Sequence, residues 1–330
     1  MSQGNEVVHH GPIAQHIVKF YDRRHEDIVP WRDFAFTQYD MYYLVGLAVL
    51  IFIIRTTLSQ YIFKPFGKKN NIIGKNLHRF VENSWFTVYY LFAVVAGITI
   101  LWNSSWLWSL DKCYDEFPDD HMNETLPGLE FYYILGLAFY TQALFGLVFV
   151  DEKMKDFNEM FAHHICTILL ISISKIGRAH RIGSLILLLH DSVDIFLYSA
   201  KATNELRLKT LADTLFGLFA VTFFLLRLVY FPYITYYTTF NDHIKYFPQK
   251  WYFIRKVGDV DKLFQVDSYG VCIGGYCIST WYFLICLLCT LICLHIYWFS
   301  IITRMAYTKL FLKKELEDPR HHEEQKKKNK

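Results

Sequence analysis

Residues His163–Lys201 read HHICTILLISISKIGRAHRIGSLILLLHDSVDIFLYSAK, and no other stretch says as much about what kind of protein this is. Two apolar runs flank a short basic turn. The first carries His163-His164 near its start, and the second carries His190-Asp191-x-x-Asp194. Each Asp in a hydrophobic span opposes insertion by roughly 2.5–3.5 kcal/mol, so Asp191 and Asp194 together oppose it by about 5–7 kcal/mol. A chain keeps such groups where they are paired or used. Chemistry inside a membrane is therefore the first expectation.

The remainder of the chain agrees. Of 330 residues, 53% are hydrophobic and 18% aromatic, and mean hydropathy is positive. Charges gather in blocks between apolar runs of the length that a bilayer core of about 30 Å requires. Seven spans are expected, at 40–57, 84–102, 130–150, 158–176, 182–199, 210–230 and 278–303, giving an all-α polytopic bundle. The division follows: an N-terminal segment 1–39, a first transmembrane helix 40–57, a catalytic transmembrane domain 75–305 and a charged tail 306–330. A net charge of +3, with no basic stripe interleaved with aromatics, argues against a nucleic-acid partner.

Orientation follows from the Lys/Arg bias of short loops. Segment 55–83 carries Arg55, Lys64, Lys68, Lys69, Lys75 and Arg79, whereas 103–129 carries Lys112 amid six acidic residues. The first is expected in the cytosol and the second in a lumen, with the N-terminus lumenal and the C-terminus cytosolic. The acidic loop holds sequons at Asn103 and Asn123, of which Asn123 is the better acceptor because Asn103 abuts Trp102. Lys327 and Lys328 stand fourth and third from the end, a dilysine pattern read in the cytosol that points to the endoplasmic reticulum. Residues 1–39 lack an apolar signal core, so no cleavage is expected there.

Tyr42, Tyr43, Trp102, Trp106, Trp108, Tyr230, Tyr233, Trp281 and Trp298 fall near span ends and read as an interfacial belt. Cys286, Cys289 and Cys293 share one helix face and read as packing residues, while Cys272 and Cys277 leave a disulfide open. Arg227 reads as a paired or snorkelling structural charge, His180 as a solvent-facing turn residue and Cys166 as core filling.

If the fourth and fifth spans reverse near Gly177, His163 and His190 lie 14 residues before and 13 after the turn, nearly level at about 1.5 Å per residue. His190 and Asp194 are four apart and Asp191 and Asp194 three apart, so all can crowd one helix face. A carboxylate bonded to one imidazole nitrogen orients the other, the arrangement of a nucleophile or general base toward an acyl group. It is equally how a metal site begins. Alone, a His pair at a helix start is an interface feature and an embedded Asp is a packing charge paired with Arg178, Arg181, Lys201 or Arg227. Together, on consecutive spans, they favour a site.

The run His163-His164, Thr167, Ser174, Arg181-x-Gly183, Leu185-Ile186, His190-Asp191-x-x-Asp194 and Ala200-Lys201 resembles the signature of the TLC-domain ceramide synthases. That resemblance implies transfer of a long-chain acyl group from acyl-CoA, as substrate, to the amino group of a sphingoid base within the bilayer. It implies no tightly bound cofactor or metal, and it allows a homo- or hetero-dimer. His163 matches the residue that takes the acyl chain, and His164, His190, Asp191 and Asp194 match the supporting positions, their roles undivided. In the family, acyl-length preference is linked to the lumenal end near the last span, here around 265–280. The chain departs from the family pattern at Lys175, Arg178 and Tyr198, and 58–83 is too short for a homeobox-like insert. Two other readings stand beside this one: a non-catalytic TLC lipid-sensing or translocon-associated protein, and a zinc-dependent membrane lipid hydrolase using His163, His190 and Asp194.

Overall fold

A backbone crossing lipid must pair its own N–H and C=O groups, so the apolar runs fold as long helices. The structure, a computed structural model, describes residues 38–114, 126, 128–151, 157–176, 179–238, 254–256, 264–267, 270–273 and 276–312. Seven helices are long and apolar enough to cross a membrane. They are α1 (Tyr39–Lys69), α2 (Gly74–Leu101), α3 (Leu129–Phe149), α4 (Phe157–Ile176), α5 (His180–Glu205), α6 (Lys209–Tyr236) and α7 (Thr280–Leu312). The chain is thus a multi-pass, all-α membrane bundle. Most of residues 1–39, together with Gly177, Arg178, Asn123, Lys327 and Lys328, fall outside the described residues.

Several helices outrun the expected spans. α1 continues through Lys64-Pro65-Phe66-Gly67-Lys68-Lys69 and α6 through Phe231–Tyr236. Each extension follows a π-helical segment, Ser59–Phe63 in α1 and Phe223–Tyr230 in α6, and each segment ends two residues before a proline. Proline offers no N–H and its ring crowds the carbonyl four residues back. A widened turn just upstream lets the helix pass Pro65 and Pro232 instead of ending there.

Between α6 and α7, β1 (Ile254–Lys256), β2 (Phe264–Asp267), β3 (Gly270–Ile273) and β4 (Tyr276–Ser279) form a small antiparallel sheet in the order β1-β4-β3-β2. Its register sets Cys272 opposite Cys277.

The core lies among α2, α3, α4, α5 and α7, with an aromatic seam of Phe86, Tyr89, Tyr90, Phe139 and Tyr198 joining α2, α3 and α5. α1 is fastened to this core by charge at two levels. At its middle Arg55 Nη2 meets Asp151 Oδ1 at 2.6 Å. Room for that pair comes from Gly146, where a Cβ would lie 2.7 Å from Arg55 Nη1. Arg55 therefore ties α1 to the end of α3 and is not a loop charge.

At the N-terminal end of α1 Lys175 Nζ, 1% exposed, lies 3.6 Å from Asp40 of α1 and 3.4 Å from Glu130 of α3. The lysine that departs from the family pattern is thus a three-helix clamp. Replacing one member of a buried ion cluster strands the others, at about 3–5 kcal/mol. Lys175→Met is accordingly expected to lower the thermal midpoint in detergent markedly, whereas Lys69→Met, on an exposed residue, leaves it in place.

Four expectations about side chains are corrected. His180 is buried, 5.1 Å from the Tyr133 ring, because α5 starts inside the bundle. Trp106 is 3% exposed and lies under the Arg181 guanidinium at 4.7 Å, whereas its neighbours Trp102 and Trp108 are exposed like belt residues. Trp298 faces the interior, as described below. Cys286, Cys289 and Cys293 do share a face, but it is the exposed one. Spacing defines a face without saying which way it turns, and a thiol is apolar enough for lipid.

Candidate active site

α5 is the central post of the site. Its apolar residues bury it among its neighbours, and His190, Asp191 and Asp194 are each under 9% exposed. His163 lies 13 residues before the end of α4, and His190 ten residues after the start of α5, so the helix rise leaves them about 4.5 Å apart in depth. Both line one apolar cavity. One member of the pair and one of the cluster thus share a chamber, while His164, Asp191 and Asp194 lie outside its lining.

The three α5 groups, however, address three different helices. Asp191 Oδ1 accepts a hydrogen bond from the Tyr140 hydroxyl of α3 at 3.2 Å. Asp194 Oδ2 is 2.8 Å from Arg227 Nη2 of α6, and the same guanidinium nitrogen donates to the His190 backbone carbonyl at 2.9 Å. Of the cations considered as partners for the embedded carboxylates, Arg227 is the one that meets Asp194. It lies in the π-helical turn ahead of Pro232, and carbonyl-seeking guanidinium geometry suits such a loosened stretch.

His190 is not oriented by a carboxylate, contrary to expectation. Its Nδ1 lies 2.7 Å from the Ile186 carbonyl one turn back. A carbonyl only accepts, so Nδ1 carries the proton and Nε2 presents a bare lone pair. That Nε2 is buried with no hydrogen-bond partner among the described residues. Both carboxylates are meanwhile engaged by Tyr140 and Arg227, which is why neither reaches the ring.

His163 and His164 diverge around α4, yet both rings face Tyr140, at 6.4 and 6.0 Å between centroids. His164 is 7% exposed. On its other side His163 meets Trp298 of α7 edge-on at 5.3 Å, so this tryptophan walls the site and does not serve the belt. Thr167 Oγ1 donates to the His163 carbonyl at 2.9 Å, closing that turn of α4.

Three side chains pack against the histidines without having been marked as site residues in the sequence: Tyr140, which lines the cavity, and Trp298 and His295. Tyr140 is the hub between the histidine pair and Asp191. His295 of α7 is fully buried, 5.0 Å from the His190 ring and 5.4 Å from Phe231. Each sits in an apolar helix, where a Tyr, Trp or His looks like ordinary core. The one usable signal was His295 itself, an ionisable group in the middle of a span. Cys166 is core filling as expected, its thiol 3.3 Å from the Leu287 carbonyl.

Among the described residues no three His, Cys, Asp or Glu side chains are placed to hold a metal ion. The mononuclear set His163, His190 and Asp194 is not among such groups, and Arg227 lies 2.8 Å from one oxygen of that carboxylate. Asn103 is exposed between Trp102 and Ser104.

A family model described as "TLC domain" matches residues 79–304. Ceramide synthase 4 of Bos taurus is 39% identical over 236 residues, 72% of this chain and 51% of that protein. Ceramide synthase 5 of Homo sapiens is 35% identical over 253 residues, 77% of this chain and 56% of that protein. Ceramide synthase LOH1 of Arabidopsis thaliana is 32% identical over 225 residues, 62% of this chain and 72% of that protein. The chain spans about half the length of the ceramide synthase 4 relatives it matches.

Proposed function

The chain belongs to the ceramide synthase family of TLC-domain proteins, and from that premise we propose that it moves a fatty acyl group from acyl-CoA to the amino group of a sphingoid base. The observation that carries this reading is the single apolar cavity lined by both His163 and His190. A nucleophile and a base facing one lipid-compatible space are what an acyl transfer between two long-tailed substrates needs.

In the first half-reaction a ring nitrogen of His163 attacks the thioester carbonyl. The new C–N bond forms as the C–S bond breaks, and CoA departs as thiolate, leaving an acyl-imidazolium. In the second, the sphingoid amine attacks that carbonyl. Its surplus proton passes to the bare Nε2 of His190, the amide forms, and neutral His163 leaves. The His190 proton then returns to solvent or thiolate.

Asp194 and Arg227 act on this sequence indirectly, holding the α5 backbone at His190. Asp191 fixes the Tyr140 hydroxyl, and Tyr140 braces His163 and His164. A hydrogen bond to a charged group is worth about 1.5–3 kcal/mol, so Tyr140→Phe is expected to lower kcat roughly 10–100-fold with KM nearly unchanged. Initial rates at varied acyl-CoA check this.

The direct assay supplies sphinganine and labelled acyl-CoA to membranes carrying the protein. Labelled N-acyl product that needs both substrates is the expected result. Well-expressed, folded protein that yields none would overturn the reading.

The proposal extends to place: the endoplasmic reticulum membrane, N-terminus lumenal and C-terminus cytosolic. The basic block Lys64–Lys75 and the sequons at Asn103 and Asn123 support it together.

A further inference from the structure

The cavity below the two histidines has a definite depth and a polar end. From His163 it follows α4 to Ser174, eleven residues, and from His190 it follows α5 back to Gly183, seven residues. At about 1.5 Å per residue the two walls run about 16 Å and about 10 Å, His163 standing the farther from the turn. They meet at a floor where the Tyr133 hydroxyl of α3 lies 3.4 Å from Ser174 Oγ. Gly183 completes the floor, since a Cβ there would run into the Tyr133 hydroxyl and sit 3.2 Å from Ser174 Oγ. Behind it stand His180, packed on the Tyr133 ring, and the Lys175 ion cluster.

We infer that Tyr133, Ser174 and Gly183 form a polar stop that sets acyl-chain length in this protein, admitting about fourteen to sixteen carbons. The inference rests on the acyl-transfer reading above. An extended chain advances about 1.25 Å per carbon by ordinary bond lengths and angles, so a carbonyl carbon at His163 places carbon fourteen near the floor. Each methylene up to that point gains apolar burial worth about fourfold in binding. The next ones meet hydroxyls and a buried ion cluster and gain none.

The test is a competition among acyl-CoAs of 12 to 24 carbons with one sphingoid base, read as product ratios within each variant so that expression level cancels. Wild type is expected to peak at about 14–16 carbons, with chains of 20 or more at least about tenfold lower. Tyr133→Leu and, more gently, Ser174→Ala lower the floor and move the peak to longer chains. Gly183→Ala pushes the tyrosine into the cavity and moves it to shorter ones. If Tyr133→Leu fails to fold, Ser174→Ala and Gly183→Ala still give shifts of opposite sign. Active variants with unshifted ratios would overturn the stop, as would a shift in sphingoid-base length instead of acyl length. A wild type that transfers no acyl chain of any length overturns the acyl-transfer reading itself.

Discussion

His163→Ala is expected to abolish N-acyl transfer, by about 10³-fold or more, while the protein still folds and inserts. The nucleophile is the one group whose loss no neighbour replaces, because the first half-reaction has no other route to a covalent acyl carrier. The substitution is mild structurally. His163 is only half-buried, at the rim of the cavity, and its Nδ1 makes no hydrogen bond among the described residues. Full activity in the alanine variant would remove His163 from the mechanism. His190→Ala is its complement: the acyl group still loads, but the second half-reaction slows for want of the amine's proton acceptor.

The second large effect is on stability. Arg227→Met leaves the Asp194 carboxylate buried at mid-membrane without its cation, and it takes the donor from the His190 carbonyl. Breaking a buried pair on one side costs about 3–5 kcal/mol, a large part of a typical folding free energy. The variant should show a strongly reduced thermal midpoint in detergent and little activity. Removing both charges, as Arg227→Met with Asp194→Leu, should recover most of the stability, because an apolar pair of similar volume avoids the desolvation penalty. Activity should stay low, since the backbone at His190 still lacks its tether. An Arg227→Met protein as stable as wild type would contradict the pairing. A fully active double variant would make the pair packing alone.

Much of this was legible from residues 163–201. An uninterrupted apolar run has little choice but to be a membrane helix, so seven runs gave seven helices. The ionisable residues inside them had to be used or paired, and His163, His190, Asp191 and Asp194 were found that way. Arg227 stood out by the same rule, although sequence alone could not choose its partner. What escaped the reading depends on how helices rotate against each other. Nothing local says that the Tyr140 hydroxyl meets Asp191, that Trp298 meets His163, or that Cys286 turns outward. The helix ends escaped too. Lys64–Lys69 looked like a loop because of its charges and Pro65, but the π-helical turn before the proline lets the helix continue. Orientation of His190 by the Ile186 carbonyl was open to inspection, because any imidazole in a helix has the carbonyl four residues back within reach. The two nearby carboxylates drew attention away from it.

The most direct test of the account is the intact mass of the purified protein after exposure to a single acyl-CoA with no amine present, followed by peptide mapping. The account predicts one added acyl group, on the peptide containing His163, discharged when sphinganine is supplied and absent from His163→Ala. Turnover with no such adduct, or an acyl group mapped to another residue, would contradict it.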